Sequence, residues 1–404
     1  MTAPSAGAWW RHAAALERFV ADLLAAELAQ ARPGRQGATG RWPATLDLAR
    51  DLGADSLELM GMATALAEAL QLRAGFDADL LAAPRLQHWI DGAAAALGAD
   101  GGAIVFRTSG SSGSPKRCTH GLDLLQQEIA ALAPLFPGRR RILSAVPAHH
   151  IYGFLFTVLL PRALGIDEVV DVRGATGPAS LMAQARAGDL VVAHPLWWEA
   201  LARLEPALPV DVVGVSSTAP CPDLLAEALA RAGLRLVQIY GSSETAGVGW
   251  RERAFEPFTL LPYWARTDDA SQLARALPGG ASARYPLQDR LEWQAEGRFR
   301  PAGRVDAAVQ VGGTNVFPAY VAEVLKMHPQ VEDAAVRLMR PDEGARLKAF
   351  VVARADASDA LGAELLDWCR QRLSTPELPA ALSFGARLPR QASGKAADWI
   401  IDAD

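Results

Sequence analysis

Between residues 103 and 239, short β-rich segments alternate with helical segments, and this alternation constrains the fold more than any other feature of the chain. A strand, a helix and a second strand form a parallel pair with the helix on one face of the sheet. Repetition of this unit predicts an α/β fold, in which helices cover a largely parallel sheet. The predicted strands cover residues 103–106, 142–146, 168–172, 190–193, 211–215 and 235–239.

Two further units are predicted on either side of this region. The residues before it show apolar side chains at helical spacing, which predicts an N-terminal helical bundle whose second helix is capped by Asp55. The residues after Gly303 combine short strands with helices, which predicts a small α+β unit. The predicted domains are residues 1–99, 100–303 and 304–404.

Composition excludes several classes of protein. The net charge of −5 gives no reason to expect nucleic acid or an anionic membrane surface as a partner. The 3 cysteines are widely spaced, which fits neither a disulfide framework nor a thiolate zinc site, so a reducing cytoplasm is expected. The N-terminus lacks the pattern of a signal peptide, and the apolar run 151–160 is too short to span a bilayer.

A segment rich in glycine and hydroxyl side chains directly follows the first predicted strand. Its glycines allow the backbone N–H groups to converge on one anion, and its terminal lysine supplies a positive charge. A flexible Ser/Gly linker is the alternative interpretation. The segment departs from the Walker pattern, because proline precedes the lysine. Its residues are Thr108, Ser109, Gly110, Ser111, Ser112, Gly113, Ser114, Pro115 and Lys116.

Four motifs, in this order, resemble those of the adenylate-forming superfamily, which includes acyl- and aryl-CoA ligases, luciferases and the adenylation domains of peptide synthetases. The first is the segment 108–116, and the second is Tyr-Gly-Ser-Ser-Glu at 240–244, with serine where the family usually has threonine. The third is Gly-Arg-Val-Asp at 303–306, and the last is the lysine motif at 388–395. The large domain is shorter than is usual in this family, so we expect a trimmed adenylate-forming large domain.

The resemblance implies a role for each motif. The segment 108–116 would bind the β- and γ-phosphates of ATP, and Tyr240 would lie against adenine. Ser243 would donate to the α-phosphate, and Glu244 would hold Mg²⁺. Lys395 would bridge the acid and the phosphate as charge develops. Without the family, Glu244 is an ordinary surface carboxylate and Lys395 a solvated lysine near the C-terminus.

The resemblance also implies further nucleotide contacts and a hinge. Three residues match a segment that contacts adenine, and an aspartate and an arginine match residues near the ribose. Asp306 would be the hinge about which the C-terminal domain rotates between two half-reactions. The remaining residues of the predicted nucleotide site are Ser217, Thr218, Ala219, Gly241, Asp289 and Arg304.

The acid pocket is predicted around two histidines and a tyrosine. By resemblance, His150 would lie beside the reacting carboxylate with His149 next to it, and Tyr152 would form a wall of the acyl pocket. Core packing is the alternative for Tyr152. His194 follows a predicted strand and would frame the same pocket. An aromatic wall suits a small, flat aryl acid of the hydroxybenzoate type.

Residues 51–59, Asp-Leu-Gly-Ala-Asp-Ser-Leu-Glu-Leu, resemble the phosphopantetheine attachment site of acyl carrier proteins. Ser56 would carry 4′-phosphopantetheine, and residues 1–99 would then form a carrier-like domain. The alternative is a helical bundle of similar shape in which Ser56 only caps its helix.

These observations favour an ATP-dependent, AMP-forming enzyme that activates a small carboxylic acid and passes it to the phosphopantetheine thiol of an acyl carrier protein. Free coenzyme A is the alternative thiol acceptor. A non-catalytic adenylate-binding or carrier-presenting protein is the alternative of a different class, and the presence of Lys116, Glu244 and Lys395 argues against it.

Overall fold

The structure is a computed structural model of the chain. It describes residues 8–32, 42–73, 75–100, 102–108, 116–174, 177–305, 308–340, 343–358, 360–389 and 399, with only the backbone of 98–100 and 108. Within these ranges, residues 8–31, 42–108 and 117–303 belong to one compact unit, and residues 308–389 belong to a second.

The first unit begins with helices. The helix that follows Asp55 is capped as predicted, because the Asp55 carboxylate accepts hydrogen bonds from the main-chain N–H groups of Leu57 and Glu58, both at 2.9 Å. The Glu58 carboxylate accepts from the Asp55 N–H at 3.0 Å, which completes a capping box. The alternative in which Ser56 is the cap is therefore wrong. The helices are α1 (Ala13–Ala31), α2 (Ser56–Ala69), α3 (Phe76–Leu81) and α4 (Leu86–Asp100).

A nine-stranded sheet forms the centre of the first unit, and it confirms the predicted α/β fold. The first elements of this region are β1 (Ala103–Thr108), β2 (Lys116–Gly121), α5 (Leu122–Leu132), β3 (Arg141–Ser144), α6 (Ile151–Phe154), α7 (Leu160–Leu164), β4 (Val169–Asp171), α8 (Gly177–Gln184), β5 (Asp189–Ala193), α9 (Pro195–Ala202), β6 (Val213–Ser216), α10 (Asp223–Arg231) and β7 (Arg235–Ser242). The remaining strands are β8 (Ala246–Arg251), β9 (Phe258–Leu260), β10 (Trp264–Arg266), β11 (Gln272–Ala276), β12 (Ser282–Pro286), β13 (Asp289–Ala295) and β14 (Arg298–Arg304).

The strand order is β13-β14-β9-β8-β7-β6-β5-β3-β4. Strands β4, β3, β5, β6 and β7 are parallel, as predicted, and antiparallel pairing extends the sheet through β8, β9 and β14. Alternate residues of a strand point to opposite faces. Val192 and Val215 accordingly belong to one hydrophobic cluster, and Val191 and Ala193 belong to another.

The N-terminal helices pack on the first of these clusters. The Phe154 ring lies 4.9 Å from the Trp9 ring, 5.7 Å from the Phe19 ring of α1 and 5.6 Å from the Phe106 ring of β1, measured between centroids. Burial of such aromatic contacts is a large stabilising contribution. The helices that were predicted as a separate domain, residues 1–99, therefore share a core with the sheet.

The second unit is α+β, as predicted. Strands β17 and β18 are antiparallel, and β19 joins β18 in a parallel pair. Its helices contribute side chains to one core with the sheet. Its elements are β15 (Val309–Val311), β16 (Thr314–Val316), α11 (Pro318–Lys326), β17 (Val331–Leu338), β18 (Leu347–Ala353), α12 (Leu361–Arg370) and β19 (Pro379–Phe384).

Among the described residues, none of the helices combines the length and the apolar character that are needed to cross a membrane.

Candidate active site

The predicted nucleotide residues cluster where the parallel strands end. Ser217, Thr218 and Ala219 follow β6, and Tyr240 lies near the end of β7. The Ser217 hydroxyl donates to the main-chain carbonyl of Ile239 at 2.9 Å and so links the ends of the two strands. Ligands of open α/β sheets usually bind at this edge. The structure therefore brings the adenine segment and the Tyr240 motif together.

The turn after Tyr240 is held by its own side chains. The Ser242 hydroxyl accepts from the main-chain N–H groups of Glu244 and Thr245, both at 3.2 Å. Gly241 is required here, because a Cβ atom at this position would lie 2.1 Å from the carbonyl oxygen of Ala246. The turn presents Ser243 and Glu244 in one conformation, which suits residues that are predicted to contact phosphate and Mg²⁺.

His120 of β2 supports this turn, and sequence analysis did not single it out. Its Nε2 atom lies 2.6 Å from the carbonyl oxygen of Ser243, so Nε2 carries the proton and donates it. The side chain is buried, and this burial lowers the pKa of His120. Strand β2, which begins at Lys116, is thus fastened directly to the turn that carries Glu244.

A buried carboxylate and a buried guanidinium support the same turn. Glu128 of α5 accepts a hydrogen bond from the Gly247 N–H at 2.9 Å, and Arg275 of β11 donates to the carbonyl oxygen of Thr245 at 3.4 Å. Both residues are fully buried. Burial raises the pKa of Glu128 to about 7, although the positive charge of Arg275 opposes this shift. No local pattern could have identified this pair, because Glu128 and Arg275 belong to different elements that are distant in the chain.

Tyr240 and Asp289 meet, although 49 positions separate them. The Tyr240 hydroxyl donates to Asp289 Oδ2 at 2.8 Å, and the Tyr240 ring lies 5.8 Å from the Phe258 ring and 5.3 Å from the Phe299 ring. A tyrosine that is predicted to lie against adenine and an aspartate that is predicted to bind ribose are therefore neighbours. Arg304 is the last residue of β14.

Tyr152 lies in the core. Its hydroxyl lies 3.0 Å from the carbonyl oxygen of Ala193 and 2.8 Å from that of Val215, at the ends of β5 and β6. Burial raises the pKa of Tyr152 well above its ordinary value. The hydroxyl therefore bonds to main-chain oxygens, and only the ring, which lies 5.1 Å from the Phe156 ring, is left to form a pocket wall.

The two adjacent histidines precede α6, and their ring centroids are 4.2 Å apart. Desolvation and the positive charge of Arg173 lower the pKa of His150 to about 4, although part of its surface is exposed, and they lower that of His149 further. Both imidazoles are therefore neutral at pH 7. Arg173 itself pairs with Asp22 of α1 at 2.6 Å, and Asp22 accepts from the Ala148 N–H at 2.6 Å. Helix α1 thus holds the segment that precedes the histidines.

His194 caps α9, since its Nδ1 atom accepts a long hydrogen bond of 3.4 Å from the Trp197 N–H. The adjacent Trp198 is fully buried, and it packs in the cluster on the sheet face opposite to Tyr152. The Trp197–Trp198 pair therefore packs α9 onto the sheet and does not share a pocket with the Tyr152 ring.

Several predicted residues are exposed or lie outside the described part of the chain. Ser56 is exposed at the start of α2, and Lys116 is exposed at the start of β2. The side chain of Thr108 is not described. The predicted residues that lie outside the described ranges are Ser109, Gly110, Ser111, Ser112, Gly113, Asp306 and Lys395.

Comparisons with known proteins agree with the motifs. Residues 52–276 match the family model described as AMP-binding enzyme, and residues 320–395 match the AMP-binding enzyme C-terminal domain. The first match begins before α2, so the carrier-like helix falls inside the AMP-binding model.

Two similar curated proteins are 4-coumarate–CoA ligases. The ligase from Cereibacter sphaeroides is 39% identical to the chain and covers 95% of the chain and 96% of its own length. The ligase from Halorhodospira halophila is 37% identical and covers 94% of the chain and 97% of its own length. Both similarities include the N-terminal helices.

A solved structure of similar fold is the amide bond synthetase McbA from Marinactinospora thermotolerans. It is 20% identical to the chain with a TM-score of 0.62, and the similarity covers 94% of the chain and 92% of McbA. At this identity the likeness shows the fold alone.

Proposed function

This chain belongs to the AMP-binding enzyme family, and we propose that it converts a small phenolic carboxylic acid of the hydroxycinnamate type to its coenzyme A thioester. It is an ATP-dependent, AMP-forming acid–thiol ligase. The observation that carries the proposed substrate is the near full-length similarity to 4-coumarate–CoA ligases. Hydroxybenzoate-type acids, which sequence analysis favoured, are flat phenolic acids of the same kind and are the second substrate class to test.

Adenylation joins two anions, so charge neutralisation and alignment dominate the chemistry. A carboxylate oxygen of the acid attacks the α-phosphorus of ATP, the bond from that phosphorus to the β-bridging oxygen breaks, and pyrophosphate leaves. Ser243 would donate to the α-phosphate. Lys116 and Lys395 would balance the negative charge that accumulates.

Glu244 would hold Mg²⁺, which neutralises phosphate charge when bound. Among the described residues there is no cluster of three or more histidine, cysteine or carboxylate side chains. A single carboxylate on a fixed turn nevertheless fits Mg²⁺, which is commonly bound by one or two protein carboxylates together with substrate phosphates.

The acid would lie near His150, whose neutral imidazole can form a hydrogen bond to the carboxylate without adding charge. In the second half-reaction the coenzyme A sulfur attacks the acyl carbon, the bond to the phosphate oxygen breaks, and AMP leaves. The thiol proton passes to solvent. Rotation about Asp306 would separate the two steps, which is a proposal by resemblance.

Free coenzyme A, the alternative in the sequence analysis, is supported better than a carrier protein. The similar ligases are named for coenzyme A, and the carrier-like residues fall within the AMP-binding model. Phosphopantetheine on Ser56 stays a prediction. Intact-protein mass after incubation with coenzyme A and a broad phosphopantetheinyl transferase tests it, with Ser56→Ala as control, and no gain in mass is expected.

The main test is product analysis with ATP, Mg²⁺ and one acid at a time. We expect pyrophosphate and a coenzyme A thioester with 4-coumarate, less product with 4-hydroxybenzoate, and none with a medium-chain fatty acid. Lys395→Ala should abolish adenylate formation, while Ser56→Ala should leave the rate unchanged. Pyrophosphate release without a coenzyme A thioester, restored by a phosphopantetheinylated carrier, would favour the carrier alternative.

A further inference from the structure

The C-terminal end of α2 contacts both strands that flank the predicted phosphate-binding segment. Glu68, the penultimate residue of α2, accepts a hydrogen bond of 3.0 Å at Oε2 from Nε of Arg107, and its Oε1 pairs with Nε of Arg117. The Glu68 side chain is only 13% exposed. Glu27 of α1 adds a second carboxylate, because its Oε1 lies 3.0 Å from Nη1 of Arg107.

The two arginines lie close to the ends of the segment. Arg107 is the penultimate residue of β1 and Arg117 is the second residue of β2, and these two strands form a two-stranded sheet. Residues 109–115 connect them. One carboxylate therefore ties together the residue just before and the residue just after the predicted phosphate-binding segment.

We propose that Glu68 is a positioning residue for ATP, which holds β1 and β2 at the spacing that the phosphate-binding segment requires. This inference rests on the proposed function of the segment. A glycine-rich segment has little conformational preference of its own, so the strands at its two ends restrict its conformation. Without the carboxylate, two like charges would remain close together in a partly buried place, and their repulsion would separate the strand ends.

The inference also gives α2 a role other than the one its carrier-like sequence suggests. The helix begins at the exposed Ser56 and ends at a buried ion-pair cluster with Arg107. A carrier arm has to move between partners, whereas this helix is anchored in the core of the AMP-binding unit through Met62 and Leu66. Helix α2 is thus part of the support of the nucleotide site.

Positioning and simple electrostatics predict opposite effects when Glu68 is neutralised. Glu68→Gln removes one negative charge near the place where ATP phosphates would bind, and charge alone would then strengthen ATP binding. If Glu68 acts by positioning, binding is weakened, because an amide oxygen holds two guanidinium groups less strongly than a carboxylate does. The direction of the change therefore separates the two explanations.

The experiment measures steady-state pyrophosphate release by the full chain, with ATP and 4-coumarate varied in turn, and the thermal midpoint of each variant. For Glu68→Gln we expect KM for ATP to rise about tenfold, while KM for the acid and the thermal midpoint change little. Glu27→Gln, which contacts Arg107 but not Arg117, should have a smaller effect. Glu199→Gln, in an exposed ion pair on α9, is the neutral control.

A folded Glu68→Gln variant with unchanged or lower KM for ATP would overturn the inference, and so would equal increases in both KM values. If Glu68→Gln does not fold, Arg117→Met replaces it, because the Arg117 side chain is 69% exposed and can be removed with little cost to the fold. Calorimetric binding of ATP to the wild type and the variants tests the inference independently of catalysis. Absence of product from the wild type with every acid would count against the proposed function, while weaker ATP binding by Glu68→Gln would still support the inference.

Discussion

Replacement of Glu128 by glutamine should change how the stability of the protein depends on pH. The native pKa of Glu128 is raised from 4.5 to about 7 by burial. Between these two values the native protein holds a proton that the unfolded chain has lost, so the free energy of unfolding falls as pH rises through this window. At about 1.4 kcal/mol per pKa unit, the complete loss is about 3 kcal/mol.

Glu128→Gln cannot titrate, so it should lack this contribution while it keeps an oxygen that can accept from the Gly247 N–H. Urea denaturation followed by tryptophan fluorescence at pH 5, 6, 7 and 8 measures the difference. Relative to the wild type, the variant should gain stability steadily from pH 5 to pH 8, by about 2 to 3 kcal/mol in total.

Glu199→Gln, at an exposed carboxylate, serves as the matched control and should follow the wild type at every pH. Comparison of the variants removes the contribution of all other titrating groups, since these are the same in each protein. Parallel curves for wild type and Glu128→Gln would refute the reasoning, because they would mean that Glu128 is ionised in the native protein throughout this range.

Three further substitutions test the geometry of the site. Tyr152→Phe should lower the free energy of unfolding by about 1–3 kcal/mol in urea titrations, because two buried main-chain oxygens lose their donor; an unchanged value would contradict the hydrogen bonds at the strand ends. Gly153→Ala should lower the thermal midpoint strongly, since the added Cβ would lie 1.9 Å from a main-chain oxygen, whereas Gly61→Ala on an open helix surface should not lower it. Tyr240→Phe should raise KM for ATP several-fold but not KM for the acid, through loss of the hydrogen bond to Asp289; equal effects on both would argue against a nucleotide role.

Local patterns predicted much of the architecture correctly. Strand periodicity located the parallel strands from β3 to β7, and the Asp55 cap was predicted from its position before an amphipathic run. The α+β character of the residues after Gly303 was also predicted. These features depend on residues that are close in the chain, and their periodicity is visible in any single segment.

The N-terminal helices show where local reasoning ends. Residues 51–59 resemble a carrier motif, and nothing within the segment itself reveals what α2 packs against. The contacts of Phe154 with Trp9 and Phe19, and of Glu68 with Arg107, make these helices part of the AMP-binding unit. Such contacts depend on which surfaces the folded sheet presents, and helical periodicity carries no information about that.

The candidate site divides in the same way. The sequence by itself determined the chemical groups and their order along the chain, because a phosphate-binding segment, a Tyr-Gly-Ser-Ser-Glu turn and a lysine motif are short and contiguous. Only the tertiary structure decided that the Tyr152 hydroxyl bonds to two strand ends and that His120 holds the Ser243 carbonyl. The physical reason is distance along the chain: His120 and Ser243 are 123 positions apart, and the order of strands in the folded sheet brings them within one hydrogen bond.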